Sequence, residues 1–289
     1  MRLAHISDLH LSKISFHPSH LFSKRILGTC NLLLKRKRAF QQQYLDTLLP
    51  LFDSLHVNAL LITGDLSSTS LNEEFLLAHD FLEQVRIRNI SIYLLPGNHD
   101  MYTKKAFAEK SFYQSFQNFS DFATLPNEGI VSVSLDTQWK LVLVDCAKAT
   151  SFFSSRGHFS KEIEEKLSLL LSSLQNHFVL IALHFPLSDK VSARKRLEKS
   201  GALKNILQKY PNVKIYLHGH MHKPSLEDLR SAHLPIIMGA GSVTWKQKPS
   251  FNLLDLTDTS CNYSLFQWHT SQWKIETTTS FQFCKRALT

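Results

Sequence analysis

The chain has 289 residues, 43% hydrophobic and 20% charged, with only 9 Gly and 9 Pro, a composition that excludes collagen-like, low-complexity and wholly disordered classes and leaves room for a sizeable core. Lys+Arg 33 against Asp+Glu 24 gives a net charge of +9, which raises nucleic acid, anionic lipid and phosphorylated substrates as partners. Four cysteines without a C-x-x-C pair read as free thiols, no run reaches the roughly 18 to 20 apolar residues of a membrane span, and Leu3 to Asp8 is too polar for a signal peptide; the expectation is a cytoplasmic protein.

A short apolar run over 2–7 predicts a first strand, followed by Asp8 and His10. Between Asp8 and Asp46 there is no acidic residue, while Lys13, Lys24, Arg25, Lys35, Arg36, Lys37 and Arg38 add seven positive charges; the rest of the chain is nearly balanced, at 26 basic against 24 acidic. Within that segment Phe22, Ile26, Cys30 and Leu33 fall at helical spacing, so 13–38 reads as a basic amphipathic insertion suited to an anionic membrane surface. Packing of the same helix on its own domain is the plainer alternative. Aliphatic rather than stacking aromatic residues interleave these charges, which argues against nucleic acid.

Tyr44, Leu48, Leu51 and Leu55 predict a helix kinked at Pro50. A strand over 58–64 ends in Gly64-Asp65, and Ser70 with Glu73 forms a capping box before a helix whose face is Leu71, Phe75, Ala78, Leu82 and Val85. A strand over 90–96 ends in Gly97-Asn98-His99-Asp100. Strands follow over 130–135 and 139–145, then a loop with Phe152, Phe153 and Phe159, which either lines an acyl groove or caps the core. Ile163, Leu167, Leu170 and Leu174 mark a helix over 161–176; the next strand, 178–184, ends in His184. Lys190, Arg194, Lys195, Arg196 and Lys199 form a second basic stretch, able to hold a polyanionic substrate or simply to face solvent. Strand 213–218 leads into Gly219-His220-Met221-His222, strand 234–238 follows, and alternating Thr, Phe and Trp beyond about 230 predict antiparallel strands closing the fold. Neither a repeat nor a linker interrupts this order, so 1–289 reads as one α/β domain.

Five strand ends thus carry Asp8, His10, Asp65, Asn98, His99, Asp100, His184, His220 and His222. Carboxyl ends of parallel strands open onto one crevice, so these side chains converge. Residues i and i+2 on an extended chain point to one side, so Asp8 with His10, and His220 with His222, grip one ion or two neighbours. Carboxylate, imidazole and amide donors without thiolate suit Mn²⁺, with Fe, Zn²⁺ or Mg²⁺ as alternatives, and exceed what one tetrahedral ion needs. His218, in phase with His220 but before the glycine, is ambiguous.

Asp8-Leu9-His10, Gly64-Asp65, Gly97-Asn98-His99-Asp100, His184 and Gly219-His220-Met221-His222 resemble the full signature of the calcineurin-like metallophosphoesterases. The resemblance implies a four-layer α/β/β/α sandwich with a dinuclear centre: Asp8, His10, Asp65 and His222 on one ion, Asp65, Asn98, His184 and His220 on the other, Asp65 bridging. It implies a bridging hydroxide as nucleophile, His99 as transition-state stabiliser or leaving-group acid, and Asp100 orienting His99 by a hydrogen bond.

Such a centre beside a basic apolar insertion resembles the UDP-2,3-diacylglucosamine pyrophosphatases of lipid A biosynthesis. That likeness implies a phosphorylated glycolipid sugar nucleotide as substrate, cleaved to UMP and the acylated sugar phosphate, at the inner face of the cell membrane. Phe22, Ile26, Leu33, Phe152, Phe153, Arg194, Lys195 and Arg196 are the expected lipid and substrate contacts. The widespread version of that family has Arg where this chain has His99, and this chain resembles the type that keeps the Asn-His pair. A phosphate monoester, with a second pKa of about 6, leaves without an acid, whereas an alkoxide needs one. His99 therefore keeps a cyclic-nucleotide or glycerophospholipid phosphodiesterase as the alternative, with an inactive binding scaffold behind it.

Overall fold

The computed structural model describes residues 1–13, 39–119, 124–151, 154–188 and 191–284. In chain order the elements are β1 (Arg2–Ile6), α1 (Gln43–Ser54), β2 (Ala59–Thr63), α2 (Asn72–Ile87), β3 (Ser91–Leu95), α3 (Lys104–Ala108), α4 (Ser111–Phe116), α5 (Leu125–Glu128), β4 (Ile130–Ser134) and β5 (Trp139–Val144). There follow β6 (Gly157–His158), α6 (Lys161–Ser173), β7 (Phe178–Ala182), β8 (Leu197–Glu198), α7 (Ser200–Lys209), β9 (Val213–His218), β10 (Pro224–Asp228), β11 (Ile236–Ala240), β12 (Ser250–Leu256), β13 (Ser260–His269) and β14 (Gln272–Gln282).

Two six-stranded sheets result, ordered β14-β13-β12-β1-β2-β3 and β10-β11-β9-β7-β5-β4, with β6 and β8 pairing separately. The β1-β2-β3 and β5-β7-β9-β11 runs are parallel, and β12, β13 and β14 form the antiparallel closure expected from the Thr/Phe/Trp alternation. Period-two alternation decides how the second sheet is covered. Leu141, Leu143, Leu180, Ala182, Ile215 and Leu217 pack into one core with the first sheet, while Val142, Val144, Val179, Ile181 and Tyr216 pack into another with Leu167 and Leu171 of α6 and Leu203 and Leu207 of α7. Phe52 of α1 and Phe75, Ala78 and Leu82 of α2 cover the first sheet. The layers are helix, sheet, sheet, helix, a mixed α/β fold.

Two local expectations shift. The α1 face that is buried is Tyr44, Leu45, Leu48, Leu49 and Phe52, and the helix runs through Pro50. At the start of α2 the helical cap is Glu74, not Glu73: its carboxylate accepts from Thr69 N at 2.7 Å and Leu71 N at 3.3 Å. Ser70 does not cap because its hydroxyl donates to His99 O at 2.8 Å and accepts from Tyr102 N at 2.8 Å. The serine ties the helix to the site loop instead.

The insertion at 14–38, including Phe22, Ile26 and Leu33, lies outside the described residues, as do Phe152 and Phe153. Among the described residues no helix is long and apolar enough to cross a membrane.

Candidate metal centre

The loops after β1, β2, β3, β7 and β9 meet at one edge of the two sheets. Asp8 N donates to Gly64 O at 3.0 Å and His10 N to Asp65 O at 2.9 Å, knitting the first loop to the second. Gly219 N donates to His184 O at 3.0 Å, which joins the β7 and β9 loops in the same way. His220 N donates to Asp8 Oδ2 at 2.8 Å and thereby couples the two sheets.

The backbone there is not extended. Asp8, His10, Asp65, His220 and His222 all have φ between 46° and 70°, the left-handed region that costs a non-glycine residue energy. Alternation along an extended chain is therefore not what aligns Asp8 with His10 or His220 with His222. Tight left-handed turns aim them, held by the cross-loop hydrogen bonds above. The glycines serve close approach: a Cβ on Gly219 would lie 1.8 Å from Ser7 Oγ and 2.6 Å from Asp8 Oδ2, and one on Gly97 would lie 2.1 Å from Asp65 Oδ1.

The donor atoms fall into two groups that share Asp65. In the first, His10 Nε2 is 3.0 Å from His222 Nε2, 3.7 Å from Asp8 Oδ1 and 3.6 Å from Asp65 Oδ2, and His222 Nε2 is 3.3 Å from Asp8 Oδ1. In the second, His184 Nε2 is 3.4 Å from the same Asp65 Oδ2 and 3.2 Å from His220 Nδ1. Donors on one ion at about 2.1 Å in tetrahedral or octahedral array stand roughly 3.0 to 3.4 Å apart; four of these separations fall in that range, and the two from His10 to the carboxylates are a few tenths of an ångström wider. The buried Oδ1 of Asn98 has no hydrogen-bond partner, which leaves it available as a ligand. His184 Nδ1 lies 2.7 Å from Thr63 O, and that contact fixes the ring so that Nε2 faces the cluster.

Charge in the cluster supports the same reading. Burial works against ionising Asp65 and Asp8, yet the surrounding imidazoles hold both carboxylates below the usual range. Burial likewise penalises a charged His184, but Asp65 and Asp8 push its pKa up to about 9, while burial brings His220 down to about 3. Two buried carboxylates demand positive charge, and divalent cations would supply it without protonating the imidazoles.

His99 stands beside this cluster. Its ring is 4.8 Å from that of His10, edge on, and lies 5.4 Å from Tyr102 in a near-parallel stack. Its Nδ1 is 2.7 Å from Ser68 O. Asp100 does not take that position: its carboxylate accepts from Gly97 N, Leu66 N, and Ser67 N and Oγ at 2.8 to 3.2 Å. Fully buried beneath the loop, it reaches amides rather than the ring, and it locks the β2 loop to the β3 loop. Burial and the Asp65 carboxylate push its pKa up to about 7, opposed by those donors.

His218 belongs elsewhere; its Nδ1 is 2.9 Å from Gly219 O, and burial lowers its pKa to about 4. Arg194, Lys195 and Arg196 are exposed. Sequence reasoning missed the loop after β11, where Ser242 Oγ donates to Asp8 O at 2.7 Å and Thr244 Oγ1 to Leu9 O at 2.7 Å. It also missed Phe40 and Trp245, whose rings flank His222. Hydroxyls and rings so far apart in sequence carry no local pattern.

The family profile described as calcineurin-like phosphoesterase matches residues 1–224. A protein of Nostoc sp. named 3′,5′-cyclic-nucleotide phosphodiesterase is 28% identical over 275 residues, 88% of this chain and 87% of its own length. The 3′,5′-cyclic adenosine monophosphate phosphodiesterase of Haemophilus influenzae is 27% identical over 169 residues, 57% of this chain and 55% of its own length. In fold the chain is similar to a dimetal phosphatase from Danio rerio, with a TM-score of 0.67 at 14% identity, covering 98% of this chain and 99% of the other.

Proposed function

The chain belongs to the calcineurin-like phosphoesterases, metal-dependent phosphoester hydrolases, and we propose that within them it is a phosphodiesterase acting on 3′,5′-cyclic nucleotides. The observation that carries this reading is the setting of His99. Ser68 O accepts from Nδ1, at 2.7 Å, so an imidazolium at His99 would carry its second proton on Nε2, the proton it can give to a departing oxygen. A ribose alkoxide needs that proton; a phosphate monoester released from a diphosphate scarcely does. The Nostoc and Haemophilus relatives carry names that point the same way.

Asp8, His10, Asp65 and His222 would hold one cation and Asp65, Asn98, His184 and His220 a second; Mn²⁺ is the ion proposed, on the mixed oxygen and imidazole donors. Bound there, divalent cations supply Lewis-acid neutralisation of the phosphoryl oxygens and an acidified water. The chain's own part is orientation: Thr63 O fixes His184, His99 N fixes Asp65, and Asp100 fixes the loops that carry Asp65 and His99.

The acylated sugar nucleotide expected from the sequence drops behind this reading. It rested chiefly on a segment outside the described residues, and the basic residues Arg194, Lys195 and Arg196 are exposed. The test is the rate of Mn²⁺-supported hydrolysis of cyclic AMP set beside UDP-2,3-diacylglucosamine, with Asp65→Ala as the inactive control. A higher kcat/KM for the acylated UDP-sugar would overturn the proposal.

A further inference from the structure

Residues 39–41 lie antiparallel to residues 244–246: Phe40 pairs with Trp245 as an isolated bridge, Gln41 N donates to Thr244 O at 2.7 Å, and Lys246 N donates to Ala39 O at 2.7 Å. Directly opposed residues of an antiparallel pair present their side chains on one face. Here that face is turned to the metal centre. The Phe40 ring is 4.7 Å from His10 and 5.5 Å from His222, and the Trp245 ring is 5.8 Å from His222.

Core packing alone would bury both rings. Instead each stays partly exposed, while His10 behind them is 1% exposed. Two uncharged aromatic surfaces therefore stand at the rim of the first donor group, within one side chain's reach of where a phosphoryl group would be held. They offer no charge for a phosphate. What they offer is a flat, polarisable surface for the part of the substrate that does not react.

We infer that Phe40 and Trp245 form the platform on which the nucleobase of the substrate stacks. The inference rests on the cyclic-nucleotide reading and deepens it, assigning base recognition to two residues outside the ligand motifs. A planar base gains more on such rings than a flexible chain, which must give up rotamer freedom to lie flat. Base stacking tolerates any base, so the platform selects for a nucleotide rather than for adenine or guanine.

The experiment is calorimetric titration of the Mn²⁺-loaded full chain with adenosine monophosphate, ribose phosphate and octyl phosphate. Wild type should bind adenosine monophosphate roughly tenfold tighter than ribose phosphate, the scale of one stacked base. Octyl phosphate should gain no such advantage. In Phe40→Leu/Trp245→Leu the preference for adenosine monophosphate should shrink to within about twofold, with ribose phosphate affinity unchanged as the sign that the fold and metal centre survive; Phe40→Tyr should keep it. Equal wild-type affinities, a preference that survives the double variant, or an equal gain for octyl phosphate would overturn the platform. If wild type hydrolyses no cyclic nucleotide, the functional proposal fails by itself, and the ligand comparison still decides the platform.

Discussion

The backbone N–H of His99 donates to Asp65 Oδ1 at 2.8 Å, so that the other carboxylate oxygen is committed to the metal centre. That oxygen, Oδ2, lies 3.6 Å from His10 and 3.4 Å from His184, one from each donor group. In the proposed two-cation centre this single residue would decide whether both ions are held together. In Asp65→Asn, metal content by atomic spectroscopy should fall from two ions per chain to one or none. Residues that merely orient ligands cost 10- to 100-fold when removed, so kcat/KM should fall by at least about 100-fold. Retention of two ions would show that Asp65 does not bridge.

His99 is held by Ser68 O and stacked on Tyr102 rather than placed among the ligands, so its removal should spare metal binding. For His99→Ala we expect kcat on cyclic AMP to fall about 10²- to 10⁴-fold, the usual worth of a positioned acid. A diester with a nitrophenolate leaving group needs little protonation and should lose far less. Equal losses on both substrates would assign His99 to charge stabilisation instead.

The convergence of the strand-end side chains was legible because each motif sits directly after an apolar run, and apolar runs mark buried parallel strands reliably. Their backbone was not. The left-handed φ of Asp8 is held by neighbouring loops, through Gly64 O and Ser242 Oγ, and no local preference of Asp announces it. The role of Asp100 was misplaced for a similar reason: adjacency to His99 pointed to the ring, whereas the partners that claim its carboxylate, Leu66 and Ser67, come from another strand end. The Phe40 and Trp245 pair joins segments from opposite ends of the chain, which no periodicity connects.

Asp145, just beyond β5 and outside both donor groups, gives a stability signature of its own, with His184 opposing the shift that burial produces. Its Oδ2 accepts from the Tyr113 hydroxyl at 2.6 Å and its Oδ1 from Ala147 N at 2.7 Å, yet burial dominates and pushes its pKa up to about 6 from 3.8. The folded chain therefore binds this proton more tightly than the unfolded one. Its stabilising effect is complete below about pH 4 and is lost as pH rises through about 6, to a limit of about 3 kcal/mol. Asp145→Asn should remove that loss: chemical denaturation at pH 4 and pH 7 should show a smaller decline for the variant than for wild type. Parallel profiles would show that Asp145 ionises in the folded state as it does in the unfolded chain.

Gly219 packs against Ser7 and Asp8, between the β1 and β9 strand ends. A methyl group there would lie 1.8 Å from Ser7 Oγ and 2.6 Å from Asp8 Oδ2, the oxygen that accepts from His220 N. Gly219→Ala must therefore displace Ser7, Asp8 or the turn carrying His220 and His222, and overpacking of this kind costs about 1 to 3 kcal/mol. We expect a Tm lower by roughly 2 to 10 °C and a metal affinity lower by at least about tenfold. Replacing Ser7 by Ala removes the nearest atom but leaves the carboxylate. Ser7→Ala/Gly219→Ala should thus regain much of the Tm while metal affinity stays depressed, because the contact with Asp8 persists. Full recovery of metal affinity in the double variant would show that Ser7, not Asp8, is what the missing side chain accommodates.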